Sequence, residues 1–220
     1  GRRALVFSLE VSESEIYNRA LSSITDVPLS WLKAPDGEHE DYWPRVTDGT
    51  KRLRDSGLLI DDTAGLAWPQ IEARTQREAM RGALDLIVVD HLHLIPLPGK
   101  TRETVEIGHI TAGAKKMAKR HQCPVVLLSQ LNRSLETRTN KRPAMSDLRE
   151  SGAIEQDADL IVFLYRDDYY AEAEGRPSQA PGIVEIHIAK HREGEPGRGF
   201  ANAALGYGRI ELRSLDALQA

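Results

Sequence analysis

A short apolar run that ends in an acid, Leu86-Ile-Val-Val-Asp90, constrains the fold of this chain more than any other segment. Four consecutive apolar residues predict a strand that is buried on both faces, which is typical of parallel sheets. In open α/β sheets, ligands bind beyond the carboxyl ends of the strands, where Asp90 would lie. A carboxylate there can hold Mg²⁺ on a nucleotide or simply cap a turn, and this segment alone leaves both alternatives open.

Further apolar runs alternate with helical segments. The pattern predicts strands at residues 4–8, 58–61, 86–90, 124–129, 160–165, 183–189, 200–204 and 210–212, and helices at 13–23, 68–81 and 105–121. Residues 154–157 are predicted to form a short helix or a turn. Polar, Gly-rich and Pro-rich composition predicts loops at 97–102, 132–145 and 171–182. The alternation favours one α/β domain over residues 1–220, in which helices flank a mostly parallel sheet and antiparallel strands lie at the C-terminal end.

The composition is that of an ordinary globular protein, with 40% apolar and 28% charged residues. No apolar run approaches the roughly 18 residues that span a bilayer, and we find no signal peptide, so we expect a cytoplasmic protein without a membrane partner. The single cysteine, Cys123, excludes an internal disulfide framework. The net charge is −4, but residues 131–149 carry five Lys/Arg against two acids and permit a local nucleic-acid contact.

Polar side chains occur at the ends of three predicted strands: Glu10, Asp90 and Gln130. If these strands are parallel neighbours, the side chains converge on one edge of the sheet. There a glutamate could orient and deprotonate a water, an aspartate could hold the metal shell, and an amide could hydrogen-bond a γ-phosphate. These are the parts of a sheet-based ATPase. Alternatively, Glu10 begins a helix and Gln130 caps one.

Six short motifs occur in a recognisable order: Phe7-Ser-Leu-Glu10-Val-Ser12, Ile87-Val-Val-Asp90, Leu128-Ser-Gln-Leu-Asn-Arg133, Arg149-Glu-Ser-Gly-Ala-Ile-Glu-Gln-Asp-Ala-Asp159, Tyr165-Arg-Asp-Asp-Tyr-Tyr170 and Lys190-His-Arg-Glu-Gly194. Together they resemble the C-terminal ATPase domain of the DnaB-type replicative DNA helicases, which has a RecA-like fold. The resemblance covers nearly the whole chain. It implies ATP and Mg²⁺ as cofactors and a homohexamer that moves 5′→3′ on single-stranded DNA, unwinds duplex DNA at the replication fork, and contacts a primase and a helicase loader.

The resemblance also implies roles at the nucleotide site. Glu10 would be the catalytic base, Asp90 would reach Mg²⁺ through water, and Gln130 would couple the nucleotide state to DNA. Arg19, on the helix after Glu10, would lie near the nucleotide base. An ion pair between Arg19 and Glu15, four residues apart on that helix, is the alternative.

A cationic pair near the C-terminal end would act on a neighbouring subunit. By resemblance, Lys190 and Arg192, with His191 between them, reach into the ATP site of the adjoining protomer, so that a site is complete only in a ring. Alternation along an extended segment puts both cations on one face. A solvated charged hairpin is the alternative for this pair.

A third group of residues would contact DNA. By resemblance, Arg149, Glu150 and Gly152 belong to a loop in the central channel, where glycine lets the backbone approach a phosphate closely. The alternative for Arg149 and Glu150 is a structural salt bridge. Residues 100–102 contain two cations and could also face DNA, although exposed loop cations are common.

The sequence departs from the family in two places. No Gly-x-x-x-x-Gly-Lys-Ser/Thr run, the loop that cradles phosphates, occurs in the chain. We therefore favour a piece of a longer helicase, truncated before that loop, over the alternative that another chain supplies the rest. In either case we expect this piece to bind ATP poorly by itself and to have an unpaired sheet edge. After Asp90, His91-Leu-His93 replaces the usual Tyr-Leu-Gln. We expect hydrogen bonds from these histidines to the backbone rather than a zinc site, because no third ligand has suitable spacing.

Two further functions stay open at this point. One is a RecA-like recombinase that forms filaments, which Arg149–Asp159 and Lys190-x-Arg192 disfavour. The other is a DNA-binding ring component that lacks the phosphate loop and does not hydrolyse ATP. The presence of Glu10, Asp90 and Gln130 argues mildly against that alternative.

Overall fold

The computed structural model describes residues 1–96, 103–148 and 151–212. The described strands are β1 Ala4–Ser8, β2 Leu58–Asp61, β3 Leu86–Asp90, β4 Val125–Leu127, β5 Leu160–Tyr165, β6 Ile183–His191, β7 Gly197–Ala204 and β8 Arg209–Leu212. The helices are α1 Glu13–Thr25, α2 Leu29–Lys33, α3 Tyr42–Arg54, α4 Trp68–Arg81, α5 Glu103–His121, α6 Ser151–Asp157 and α7 Asp167–Glu174. Short 3-10 turns cover Leu92–Leu94, Arg133–Thr137, Met145–Asp147 and Leu205–Tyr207.

The first four strands form a parallel sheet in the order β2-β1-β3-β4. Ala4 pairs with Leu58 on one side of β1 and with Leu86 on the other. The chain therefore leaves β1 in one direction to form β2 and returns past it to form β3. This reversal makes the carboxyl ends of β1 and β3 a topological switch point, the place where open α/β sheets bind ligands.

The last four strands form an antiparallel sheet in the order β5-β6-β7-β8. The predicted fold class, a mostly parallel sheet flanked by helices with antiparallel strands at the C-terminal end, is confirmed. Strand β4 ends the first sheet and β5 ends the second. Alternate residues of β5 expose apolar side chains, with Leu160, Val162 and Leu164 at 50%, 42% and 58% exposure.

The core lies between the parallel sheet and its helices. Phe7, Ile87 and Val89 are completely buried in a cluster that includes Ile71 of α4 and Ile107 of α5. Their apolar side chains explain why β1 and β3 occupy the centre of the sheet. The same cluster contains Ile161 and Phe163 of β5, so the second sheet contributes to it.

Most elements begin and end within a few residues of their predicted bounds, but two predictions were wrong. The predicted loop at 171–182 begins inside α7, which continues to Glu174. The residues that follow the helix form a turn that is organised by the buried Asp167 carboxylate. Residues 42–54 form a full helix, α3, which is not among the predicted helices. The predicted loop at 97–102 lies outside the described residues.

Candidate functional site

Glu10 and His91 lie together beyond the carboxyl ends of the two central strands. Ser8, the last residue of β1, pairs with Asp90, the last of β3. The Leu9 amide donates to the Asp90 carbonyl at 2.6 Å, which keeps the two chains side by side past the sheet. The buried Ser8 hydroxyl donates to the Val11 carbonyl at 2.5 Å and fixes the turn that carries Glu10.

The turn after β1 leads into α1 but is not part of it. Ser12 is the N-cap, and its hydroxyl accepts from the Glu15 amide at 3.4 Å. The Glu13 amide donates to the Asp62 carboxylate at 2.9 Å, so the segment after β2 also caps this helix. Glu10 therefore precedes α1, and the alternative that it begins a helix is wrong.

His91 joins the ends of β1, β3 and β4 through one ring nitrogen. Its Nε2 lies 3.2 Å from Glu10 Oε2 and 2.9 Å from Gln130 Nε2. The His91 side chain is 7% exposed and that of Glu10 is 57% exposed, so a buried ring supports a carboxylate at the surface. The prediction that His91 forms hydrogen bonds to the backbone is wrong, because its ring contacts the side chains of Glu10 and Gln130. The alternative that Gln130 caps a helix is not supported, since Asn132 is the N-cap of the next turn.

Two candidate side chains, Glu10 and Gln130, thus meet on His91 at the switch point, and the backbone places Asp90 beside them. The Asp90 backbone contacts the turn after β1, and its neighbour His91 contacts the other two side chains. Carboxylate oxygens suit Mg²⁺, so Asp90 fits the part of a ligand that acts through water. In the described ranges, no group of three His, Cys, Asp or Glu side chains could hold a metal ion by itself. Cys123 is buried, and burial raises the pKa of its thiol.

The cationic pair packs against the end of α6. Lys190 Nζ donates to the Glu155 carbonyl, and Arg192 donates to the Gln156 carbonyl at 3.2 Å. Arg192 also forms an ion pair with Asp159 at 2.9 Å. Both cations therefore lie on the same side of the segment, against the negative end of a helix dipole.

Asp159 is the anchor of this arrangement. Its carboxylate forms one ion pair with Lys115 Nζ of α5 at 2.7 Å and another with Arg192. The hydrogen bond from Lys115, with the charge of Arg192, holds the pKa of Asp159 below its ordinary value. His191, between the two cations, is exposed, and its ring lies over Gly194 where a Cβ would clash.

Arg19 lies on α1 and is exposed. Within residues 1–96 it forms no ion pair with Glu15, so the structural alternative suggested for it is not supported. A Cβ added at Gly208 would lie 3.2 Å from the Arg19 carbonyl oxygen, so the turn before β8 lies close to this helix.

Two of the three candidate DNA contacts, Arg149 and Glu150, lie outside the described residues. Gly152 is the second residue of α6, and a Cβ added there would meet no atom within 4 Å. Internal packing therefore gives no reason for glycine at this position. Residues 100–102 also lie outside the described ranges.

The basic stretch at 131–149 is less available than its charge suggests. Arg138 pairs with the buried Asp147 at 2.7 Å, and Arg142 grips Glu185 with two hydrogen bonds of 2.8 and 2.6 Å. Lys141 pairs with Glu174. Lys141 and Arg142 thus connect the loop to the rest of the molecule, and Arg138 forms an ion pair within it. Three of the five cations are paired with carboxylates, which does not support a broad nucleic-acid contact here.

Sequence reasoning missed three residues that shape these sites: His91, Lys115 and Asp159. His91 stood in a strand-end position beside Asp90, and that position was the available signal. Nothing local marks Lys115 as a partner of Asp159, because they are 44 residues apart in the chain.

The family model for the DnaB-like helicase C-terminal domain matches residues 1–203. The chain belongs to this family. It is 42% identical over 197 residues to the replicative DNA helicase DnaB of Pasteurella multocida. This match covers 88% of this chain and 41% of that protein. It is 40% identical over 194 residues to DnaB of Geobacillus stearothermophilus, covering 87% and 42%. The chain thus spans less than half the length of these curated relatives.

Solved structures agree with the fold. One, of an ATPase domain, superposes with a TM-score of 0.89 at 33% identity, covering 97% of this chain and 75% of that one. A DnaB-like replicative helicase, described together with its interactions with primase, has a TM-score of 0.88 at 33% identity and covers 96% and 50%. The DnaB-type resemblance and its RecA-like fold are therefore confirmed. In the described part of this DnaB-family chain, no helix is long and apolar enough to cross a bilayer.

Proposed function

We propose that this chain is the motor part of a hexameric replicative DNA helicase, which hydrolyses ATP to move 5′→3′ along single-stranded DNA. The observation that carries the proposal is the meeting of Glu10 and Gln130 on His91, beside Asp90, at the switch point of the parallel sheet. A motor function requires these side chains to share one pocket. Membership of the DnaB family supports the same conclusion.

ATP hydrolysis in such a motor needs a base for the attacking water, a group that neutralises the charge on the phosphates and a residue that detects the γ-phosphate. The Glu10 carboxylate, more than half exposed, can accept a proton from an attacking water. Asp90 would hold Mg²⁺ through water, and that ion would neutralise charge on the phosphates. Gln130, at the rim beside Glu10, can exchange its contact with His91 for one with a γ-phosphate.

A neighbouring protomer would complete the site. In this proposal Lys190 and Arg192 leave the end of α6 and reach the adjoining ATP, with His191 between them and Arg19 near the base. A cation supplied in this way accelerates phosphoryl transfer by roughly 10³–10⁵. Because each site needs two subunits, the mechanism requires a head-to-tail assembly, and in this proposal the assembly is a closed homohexamer.

Single-stranded DNA would thread the ring. Arg149, Glu150 and Gly152 would contact its backbone, with little sequence preference and a steep dependence on salt. A solved relative is described with its interactions with primase, and we extend a primase partner and a helicase loader to this protein at the replication fork in the cytoplasm.

The test is a chimera that joins the upstream part of Geobacillus stearothermophilus DnaB to this chain. We expect DNA-stimulated ATP hydrolysis by the chimera and unwinding of a fork that carries a 5′ tail. The chain by itself should neither hydrolyse ATP nor bind it in calorimetry at micromolar concentrations. Glu10→Gln in the chimera should abolish hydrolysis while nucleotide binding persists.

Two results would contradict the proposal. Long filaments on single-stranded DNA, instead of rings in negative-stain images, would indicate a recombinase. A folded chimera that binds DNA and ATP but hydrolyses none would indicate a ring component without a motor function.

A further inference from the structure

His91 occupies an unusual position between two proposed functional groups. Its Nε2 lies 2.9 Å from the Gln130 amide nitrogen and 3.2 Å from Glu10 Oε2. Its other ring nitrogen, Nδ1, is buried and has no hydrogen-bond partner within the part of the chain that the structure describes. Only Nε2 therefore connects the ring to polar groups of the described residues, and no bond at Nδ1 fixes which nitrogen carries the proton.

One ring nitrogen cannot bond fully to both partners. With a lone pair, Nε2 accepts from the Gln130 amide but cannot bond the Glu10 carboxylate, which only accepts. With a proton, Nε2 donates to Glu10 and repels the amide N–H. If the amide turns so that its oxygen faces the ring, Gln130 and Glu10 compete for the same proton. In each arrangement, removal of Gln130 strengthens the bond between His91 and Glu10.

We propose that His91 is a positioning residue through which Gln130 controls the orientation of Glu10. When Gln130 turns towards a γ-phosphate, Nε2–H of His91 becomes free to hold one oxygen of the Glu10 carboxylate. The other oxygen then faces the attacking water. When Gln130 returns to His91, Glu10 is released at the surface. The exchange concerns only which ring nitrogen, Nδ1 or Nε2, carries the proton that takes part in these hydrogen bonds. The inference rests on the proposed function for the roles of Glu10 and Gln130.

The hydrogen bond can be tested on this chain without any ATPase activity. Imidazole ¹⁵N spectra report which ring nitrogen carries the proton, and His91→Gln assigns the His91 signals among the seven histidines. In Gln130→Leu we expect the His91 Nε2 signal to move towards the protonated position. In Glu10→Gln we expect it to move the opposite way or stay. Identical His91 shifts in wild type and Gln130→Leu would overturn the proposal.

The consequence for catalysis is tested in the chimera. We expect His91→Phe to lower kcat about tenfold, equivalent to roughly 1.4 kcal/mol, with KM for ATP changed less than about twofold. DNA stimulation of kcat should also fall, because Gln130 no longer reaches Glu10 through the ring. His91→Gln offers an amide near the Nε2 position and should restore part of both quantities. The matched control is His109→Phe on the exposed face of α5, which should leave both unchanged.

Two failures remain distinguishable. If the unmodified chimera does not hydrolyse ATP, the proposed function fails, while the spectra of the chain still decide whether Gln130 and Glu10 compete for His91. If the chimera is active and folded His91→Phe keeps the wild-type kcat and DNA stimulation, the positioning role is wrong and the proposed function stands.

Discussion

Gly152 lies at the start of α6 with open space where a Cβ would project. In the channel-loop proposal, that space is filled by a DNA phosphate that approaches the backbone. We expect Gly152→Ala to leave the free energy of unfolding unchanged or to raise it by up to about 1 kcal/mol, since alanine favours helix. In the chimera it should weaken single-stranded DNA binding, measured by fluorescence anisotropy at fixed salt, and leave basal ATPase intact.

The matched control is Gly108→Ala on α5, where the new Cβ would lie 3.4 Å from the side chain of Ala153 on α6. This variant also adds a methyl group to a helix but should not change DNA affinity. Equal DNA affinity for Gly152→Ala and wild type would remove Gly152 from the proposed interface.

Within its own chain, Arg192 forms an ion pair with Asp159 and donates a hydrogen bond to the Gln156 carbonyl. If it acts on a neighbour, Arg192→Ala and Glu10→Gln chimeras should each be inactive but should complement each other. In rings mixed at equal amounts, roughly a quarter of the sites would combine an intact Glu10 with an intact Arg192 from the adjoining subunit. We expect measurable ATPase from the mixture of two inactive parents.

Arg54→Ala is the control for loss of a surface arginine. Arg54 is 70% exposed and pairs with the neighbouring Asp55, so this variant should retain full activity. Normal turnover by Arg192→Ala, or no recovery on mixing subunits that are shown to co-assemble, would contradict action between subunits.

Helix α6 connects two proposed sites at the scale of one element. Its first turn carries Gly152, and the carbonyls of its last turn receive Lys190 and Arg192. The helix has seven residues, a length of about 10 Å at 1.5 Å per residue. A movement of the proposed DNA-contacting loop would therefore be transmitted to the cationic pair through one short helix.

The turn after α7 depends on Asp167. Its buried carboxylate accepts from Arg176 at 2.7 Å, from the Gln179 amide at 2.5 Å and from the Ser178 hydroxyl at 3.1 Å. The bonds from Arg176, together with the others, hold the pKa of Asp167 well below its ordinary value. We expect Asp167→Asn to lower the free energy of unfolding in urea by about 2 kcal/mol at pH 7.

The pH dependence follows from the direction of that shift. A depressed pKa in the folded state stabilises the protein above the unfolded pKa of about 3.9, and this contribution declines as the pH falls further. The difference in the free energy of unfolding between Asp167→Asn and wild type should therefore be about 1 kcal/mol smaller at pH 3 than at pH 7. Glu172→Ala, an exposed change on the same helix, should stay within about 0.5 kcal/mol of wild type at both pH values. A constant difference would show that the carboxylate charge is not the cause.

For the whole molecule, the exposed apolar face of β5 is the main liability. Leu160, Val162 and Leu164 project from the end strand of the second sheet, and Val126 of β4 is also exposed. End strands with apolar faces associate with other chains. We expect the chain alone to self-associate in sedimentation velocity as its concentration rises.

Leu164→Lys should reduce that self-association, because an added charge cannot be buried between two copies. Leu205→Lys, at a residue 44% exposed in the turn before β8, is the control and should behave like wild type. If Leu164→Lys sediments as wild type does, the β5 face is not the contact.

The sequence by itself determined the fold class and most of the elements. Continuous apolar runs such as Leu86–Val89, bounded by turn residues, indicate strands buried on both faces, and period and turn composition are local properties that a chain displays directly. The order of six motifs was sufficient to recognise the family. The strand ends also predicted that Glu10, Asp90 and Gln130 lie at one edge of the sheet, because parallel strands bring their carboxyl ends together.

Only the tertiary structure decided how those residues are connected. His91 meets Glu10 and Gln130 although they are 120 residues apart, and Asp159 joins Lys115 to Arg192 across three elements. The same is true of Arg138 and Arg142, which looked available for DNA but are bound to carboxylates. Hydrogen bonds and ion pairs depend on distances of a few ångströms between segments remote in sequence, and local patterns do not encode those distances.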